Sequence, residues 1–189
     1  MSPFSIGTKI LGTGAILLLT FLLIGFLLPS HWEANAERLI PASADAVMPF
    51  VDSPEGWKKW TPWPENGVTR SGPEHGAGAT LSWNDEELGS GSFTLESVDP
   101  DRVTYTVDVG EGSMITHGTV ALTPVGDSVR VYWREEGDLG RNPLMGYWAL
   151  SMSRAQGEEL TKGLERLEGL LTGGTPAPGQ PIADSVPTR

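Results

Sequence analysis

The sequence predicts an α+β fold: a curved antiparallel sheet whose apolar face is covered by a long C-terminal helix, with one transmembrane helix ahead of it. Three patterns predict this. Residues 67–136 alternate strand-like runs with tight turns, residues 141–171 switch to a helical period, and Ile10–Leu28 is free of charge. A meander with one apolar face must bury that face, and the long amphipathic helix is the only element left to do it.

The run ILGTGAILLLTFLLIGFLL, Ile10 to Leu28, would span about 28 Å as a helix, close to the hydrocarbon thickness of a bilayer. A core helix rarely lacks a polar face over such a length. A cleaved signal peptide is the alternative, since Lys9 precedes the run and Ala34-Asn35-Ala36 has the small-x-small pattern of a cleavage site. The long apolar core, and Trp32 and Glu33 ahead of that pattern, favour an uncleaved anchor. Lys9 before the run and Glu33 and Glu37 after it put the N-terminus in the cytoplasm by the positive-inside rule. The expected layout is a cytoplasmic N-terminus over 1–9, a single-pass inner-membrane anchor over 10–28, a periplasmic domain over 29–172 and a disordered Pro/Gly-rich tail over 173–189.

After the anchor, EANAERLIPA reads as a first strand ending at Pro41. SADAVMPFVDSPEGWKKW reads as short helices with Ser43 as N-cap, broken by Pro49 and Pro54. In the meander, Leu81 and Trp83 share a face, as do Phe93 and Leu95. Val103, Tyr105, Val107 and Val109 alternate with Thr104, Thr106 and Asp108, and Val129, Val131 and Trp133 face together. The connectors are turn chemistry, such as Asp99-Pro100-Asp101 and Gly110-Glu111-Gly112, and imply hairpins. The helix starts with Asn142 as N-cap and Pro143 at its first position, carries Leu160, Leu164, Leu167 and Leu171 as a stripe, and ends at Gly173-Gly174. Gly157 and Gly163 inside it point to close packing or a bend.

Composition narrows the function. The 189 residues hold 13 Lys and Arg against 24 Asp and Glu, a formal charge of −11, which disfavours nucleic acid and anionic lipid headgroups as partners of the folded part. There is no cysteine, so a thiol nucleophile and a thiolate metal site are excluded. Seven tryptophans supply rigid aromatic surface for a core or a pocket.

Four separated stretches carry a family likeness: WKKWTPW (Trp57–Trp63), GPEHGAGATLSW (Gly72–Trp83), GDLGRNPL (Gly137–Leu144) and KGLERL (Lys162–Leu167). With the order of elements, they resemble the helix-grip superfamily of START-like, polyketide cyclase and Bet v 1-like (SRPBCC) domains. More narrowly, the chain resembles polyketide cyclase/dehydrase-type lipid-transport proteins with an N-terminal membrane anchor, over about residues 32–172. The resemblance implies a sheet gripping the C-terminal helix around a cavity that holds lipids, steroids, polyketides or other apolar molecules, with no cofactor.

The glycine-rich stretch Gly72–Trp83 lacks the third glycine and following helix of a dinucleotide loop, and no Walker lysine follows it. The three histidines, His31, His75 and His117, form no ligand-spaced pair, so no metal site is expected. His75 is a candidate acid or base, against the alternative of a solvent-facing turn histidine. Glu96 is a weaker candidate, out of phase with Phe93 and Leu95, and His117 falls opposite Val120 and Leu122. Trp83, Phe93, Leu95, Tyr105 and Trp133 share the inward phase and are the expected cavity wall, completed by Trp148 and Met152, or by Met145 and Tyr147 if the helix phase shifts at Gly146. Trp60, Trp63, Glu74 and His75 are expected at the cavity mouth.

The functional expectation is membrane-anchored binding, or transport, of an apolar or amphipathic small molecule or lipid. The alternatives are a cyclase/dehydrase-like enzyme in the same cavity and an envelope interaction domain without a ligand. An inward acid–base pair would separate enzyme from binder, and none is identified among the candidate residues.

Overall fold

The computed structural model describes residues 3–64, 67–85, 89–140 and 142–173, with side chains from residue 9 onward. Helix α1 (Pro3–Leu27) leads into strand β1 (His31–Ile40). A connection of α2 (Ala44–Val47), a 3₁₀ turn (Met48–Phe50) and α3 (Pro54–Trp57) follows. Then come β2 (Val68–Ser71), β3 (Thr80–Asp85), β4 (Gly89–Asp99), β5 (Arg102–Val109), β6 (Met114–Val125), β7 (Ser128–Asp138) and α4 (Pro143–Thr172). Residues 174–189, which include most of the expected tail, lie outside the described residues.

All seven strands form one antiparallel sheet in the order β1-β7-β6-β5-β4-β3-β2. From β2 to β7 each strand pairs with its neighbour in the chain. The short helices carry the chain from edge strand β1 to the opposite edge, β2. Their starts follow local chemistry: the Ser43 hydroxyl accepts from Ala46 N–H at 3.2 Å and the Ser53 hydroxyl from Gly56 N–H at 3.2 Å, each an N-cap. Pro54 opens α3, where its missing N–H costs nothing.

Alternation in sequence becomes burial in the sheet. Trp32, Ala34 and Ala36 of β1, Val103 and Tyr105 of β5, and Val129, Val131 and Trp133 of β7 are all buried on the α4 side. One bulge breaks the pattern: the β4–β5 register shifts between Leu95 and Ser97, leaving Glu96 unopposed and exposed. Past it, Val98 pairs with buried Val103 and packs on the core.

Helix α4 begins where Asn142 Oδ1 accepts from Leu144 N–H at 2.9 Å and ends at left-handed Gly173. Leu160, Leu164 and Leu167 are buried. Arg38 of β1 donates to Glu168 at 2.5 Å, and Arg166 Nε donates to the Trp60 carbonyl at 2.7 Å, fixing the helix from both sides. Gly163 is a close-packing glycine, because a Cβ there would lie 2.6 Å from Trp133 Cζ3. Gly163→Val should therefore cost about 1–3 kcal/mol, read as a lower denaturant midpoint at unchanged slope.

Helix α1 is long and apolar enough to cross a membrane over Lys9–Leu27, with mean hydropathy 2.5, a test that a signal sequence also passes. Residues 9–20 are exposed along the whole of their length. Near its end α1 crosses α4, with Gly25 against the Pro143 carbonyl and Gly146 against Leu28 and the Gly25 carbonyl. Beside that crossing the Phe21 ring stacks on Tyr147 at 4.5 Å, and Tyr147 Oη donates to the Phe21 carbonyl at 2.8 Å.

The crossing defines a proximal end of the sheet. There lie the start of β1, the end of β7, the β5–β6 turn, the end of β3 and the start of β2. At the distal end lie Ile40, the β4–β5 and β6–β7 turns and the Gly72–Ala79 loop.

Candidate functional site

A row of inward residues crosses the sheet: Ala34 on β1 opposes Glu135 on β7, Glu135 opposes Gly118 on β6, Gly118 opposes Tyr105 on β5, and Tyr105 opposes Leu95 on β4. Gly118 decides what this row does. A Cβ there would overlap the Tyr105 ring, so the absent side chain lets the ring lie across β6. The phenol then reaches Glu135, two strands away, and donates a hydrogen bond to its Oε1. The same aromatic-over-glycine arrangement recurs where Trp83 covers Gly91 and Trp32 covers Gly137, both directly opposed pairs.

The network extends in both directions. Trp133 Nε1 donates to Tyr105 Oη at 2.7 Å, and Gln156 Nε2 of α4 donates to Glu135 Oε2 at 2.6 Å. Glu135 and Tyr105 are 6% and 2% exposed, so a carboxylate, a phenol, an indole N–H and an amide are joined in the space between sheet and helix.

Rings enclose it. Trp57 stands 4.8 Å from Tyr105, 5.6 Å from Trp133 and 4.7 Å from Trp60, and Phe93 lies 4.9 Å from Tyr105, each distance between ring centroids. The indole N–H groups of Trp57 and Trp60 are bonded to the carbonyls of Val51 and Phe50, which pins both rings inward. The chain of rings continues through Trp63, 5.4 Å from Phe93, to Trp83, 6.0 Å further, and both are only half buried, at the proximal end.

Burial pushes the Glu135 carboxyl above the ordinary glutamate range, opposed by the hydrogen bonds from Tyr105 and Gln156. Burial, then the adjacent Glu135 charge, holds the Tyr105 phenol well above its usual range. A desolvated carboxylate is costly, and two donors aimed at it offset only part of the cost. Nearby, the Trp32 indole N–H is buried without a partner, on β1 two positions from Ala34 along the same face. Among the described residues, sheet and helix thus hold a polar chain that contributes little to stability.

The expected wall residues Trp83, Phe93, Leu95, Tyr105 and Trp133 lie on this inward face, with Met152 packed against it. Trp148 does not join them. It is 50% exposed, because Ala149 faces the core and Gly146 faces α1, which turns position 148 outward. Trp60, expected at the mouth, is instead in the core at 1% exposure, since the 3₁₀ turn and α3 fold its segment under the sheet; Trp63 remains at the rim.

His75 and Glu74 are exposed at the distal end, away from the rings. His75 Nδ1 meets Asp52 Oδ1 at 3.2 Å, while Gly76 N–H bonds the Asp52 carbonyl and Gly78 N–H the Leu95 carbonyl, so the stretch works as a strand lead-in. Glu74 borders a shallow cleft of about 190 Å³ with Glu55 and Arg70. Glu96 is exposed at the bulge and His117 on the outer face. Replacing Glu74 and His75 together by alanine should leave stability within about 0.5 kcal/mol and retention of any co-purifying ligand unchanged.

The Tyr105–Glu135 pair is absent from the expected site residues, although Glu135 lies in phase with Val129, Val131 and Trp133. One outward group has metal-ligand types, His31, Glu33 and Glu136, whose ligand atoms lie within 4.8 Å of one another. Arg134 donates to Glu33 at 2.9 Å and to Glu136 at 2.7 Å, so these carboxylates already share a cation.

A search of curated proteins by sequence finds no match. Solved structures share the fold. A protein of the dynemicin biosynthetic locus superposes with a TM-score of 0.54 at 18% identity over 76% of this chain, which spans 48% of that protein's length. A Thermus thermophilus protein gives 0.55 at 23% identity, over 75% of this chain and 97% of that one. Thalictrum flavum norcoclaurine synthase, solved as a point mutant with a transition-state analogue, gives 0.57 at 14% identity, over 76% and 95%. The family model described as polyketide cyclase / dehydrase and lipid transport matches residues 31–172, a span that takes in β1, the aromatic connection, the whole sheet and α4. Because that model covers most of the chain, the protein belongs to the polyketide cyclase / dehydrase and lipid transport family.

Proposed function

We propose that this protein binds an apolar or amphipathic small molecule, lipid included, between the sheet and α4, with Glu135 as the polar anchor. The observation that carries this reading is the Tyr105–Glu135–Gln156 chain buried inside a cage of rings. A core selected only for stability gains nothing from a desolvated carboxylate. A binding site uses one: apolar burial at about 25 cal/mol per Å² supplies affinity, and a few converging polar groups fix orientation. Glu135 accepts hydrogen bonds, so the ligand presents a hydroxyl or other donor in place of Gln156. The unpaired Trp32 N–H suits an acceptor on the same molecule.

In this reading α1 is an uncleaved anchor over residues 10–28, and the domain over 29–172 stands on the periplasmic side. Entry is at the proximal end, past Trp63 and Trp83, and requires the first half of α4 to move. Gly157 weakens the helix by about 1 kcal/mol relative to alanine between that half and the fixed Leu160–Leu167 half.

Titration with a fluorescent acyl probe tests the site by energy transfer from the caged tryptophans. Saturable transfer that Tyr105→Phe and Glu135→Gln weaken, and Trp148→Phe does not, is the expected result. Equal transfer in all four proteins would place the probe elsewhere. The Tyr105–Glu135 pair also favours a second reading, a cyclase-like enzyme with this pair moving protons. In that case Glu135→Gln should co-purify with a molecule of different mass from the one held by the unaltered protein, because it retains substrate instead of product.

A further inference from the structure

We propose that the first three turns of α4 lie in the membrane interface beside α1, so that the proximal end of the sheet rests on a zwitterionic bilayer and ligand passes directly between lipid and cage. This rests on the reading of α1 as a membrane anchor.

Four observations converge. Residues 143–153 of α4 contain no charge, and Arg154 is the first charged residue of the helix, followed by Glu158, Glu159, Lys162, Glu165 and Arg166. That uncharged segment is exposed where it should be polar: Leu144, Trp148 and Leu150 are 49%, 50% and 58% exposed. Outside α1, the other exposed large apolar side chains among the described residues are Leu39, Ile115 and Val125, and of these Ile115 also lies at the proximal end. A patch of this kind beside a membrane-spanning helix is an interfacial surface, with Trp148 suited to headgroup depth.

The crossing makes this contact geometrically fixed. Gly25 and Gly146 bring the two backbones together as small residues do between membrane helices, and the Phe21–Tyr147 stack holds the rotation. Leu28, at the end of the apolar run, packs on Gly146, so the depth at which α1 leaves the bilayer is the depth of the first turns of α4. The half-buried rim residues Trp63 and Trp83 open at this same end. The contact is apolar, consistent with the formal charge of −11, and should not weaken in high salt.

The absence of cysteine permits a direct test. The single variants Leu18→Cys, Leu39→Cys, Leu144→Cys, Trp148→Cys, Leu150→Cys and Glu165→Cys are spin-labelled in the full chain and reconstituted into phosphatidylcholine vesicles. Collision with dissolved oxygen is compared with collision with a water-soluble nickel chelate. Labels at 144, 148 and 150 should show a several-fold loss of nickel-chelate collision relative to 39 and 165, with 18 buried deepest. Gly146→Val, which breaks the crossing, should return 144 and 148 to the aqueous values while 18 stays buried. If 18 is buried but 144, 148 and 150 match 39 and 165, the interfacial contact is wrong and the anchor stands. If 18 is also aqueous, both fall. Disulfide crosslinking between two chains of the Trp148→Cys variant, with shielding lost on dilution into excess lipid, would mean a second copy covers the patch and would equally overturn the proposal.

Discussion

Gly118→Val should be among the most damaging single substitutions in the sheet, lowering stability by roughly 2–6 kcal/mol. The loss has two parts: overpacking costs about 1–3 kcal/mol, and leaving a buried polar group unsatisfied costs about 1–3 kcal/mol more. Both follow from one contact. The Tyr105 ring lies where a residue 118 side chain would be, so valine must evict the ring, and the phenol loses Glu135. Val120, on the same strand and equally buried, has no such role, and Val120→Ala should show a smaller loss with the network intact. Urea unfolding of the two variants checks the ordering, which reverses if Tyr105 can leave β6 without cost.

Glu135→Gln should act in the opposite direction on stability. The amide is nearly isosteric, accepts from Tyr105 and can pair with Gln156, while the desolvated charge is gone. A gain of about 1 kcal/mol at neutral pH is expected, or about 2–4 °C in Tm. The pH dependence gives the sign. Because burial raises the folded-state pKa of Glu135, the folded protein holds this proton more tightly than the unfolded chain. The contribution of Glu135 to stability is then full below the ordinary glutamate pKa of about 4.3, and is lost as pH rises through the raised folded value. The unaltered protein and Glu135→Gln should therefore converge in acid and separate as pH rises across that window, with the variant the more stable. A variant that is less stable at pH 7 would mean that the carboxylate is structural. If stability rises while ligand retention falls, Glu135 is retained for function at the expense of stability.

Much of this site could be read from the strands themselves. The phase that turns Val129, Val131 and Trp133 inward also turns Glu135 inward, two residues on, yet the rule that carboxylates face water conceals it. The strict alternation of β5 placed Tyr105 on the same face. What the strands do not carry is register: that Gly118 stands between Tyr105 and Glu135 depends on which β6 residue opposes which β5 residue, and a glycine in a strand has no periodic signature. Trp60 shows a different limit. Its proline-held segment reads as a surface loop, but hydrogen bonds to the Phe50 and Val51 carbonyls from Trp60 and Trp57 fold it into the core. Trp148 depends on helix phase, which close approach of α1 at Gly146 sets. The extra residue Glu96 likewise escapes a strict period of two, so Val98 instead of Ser97 packs on the core.

Native mass spectrometry of the full chain, purified from its host in mild detergent, tests the central claim most directly. The expected result is a bound molecule of discrete mass, apolar with at least one hydrogen-bond donor, that is depleted in Gly118→Val and in Glu135→Gln. A chain that carries only detergent, and whose caged tryptophans do not respond when host lipid extract is added back, would contradict it.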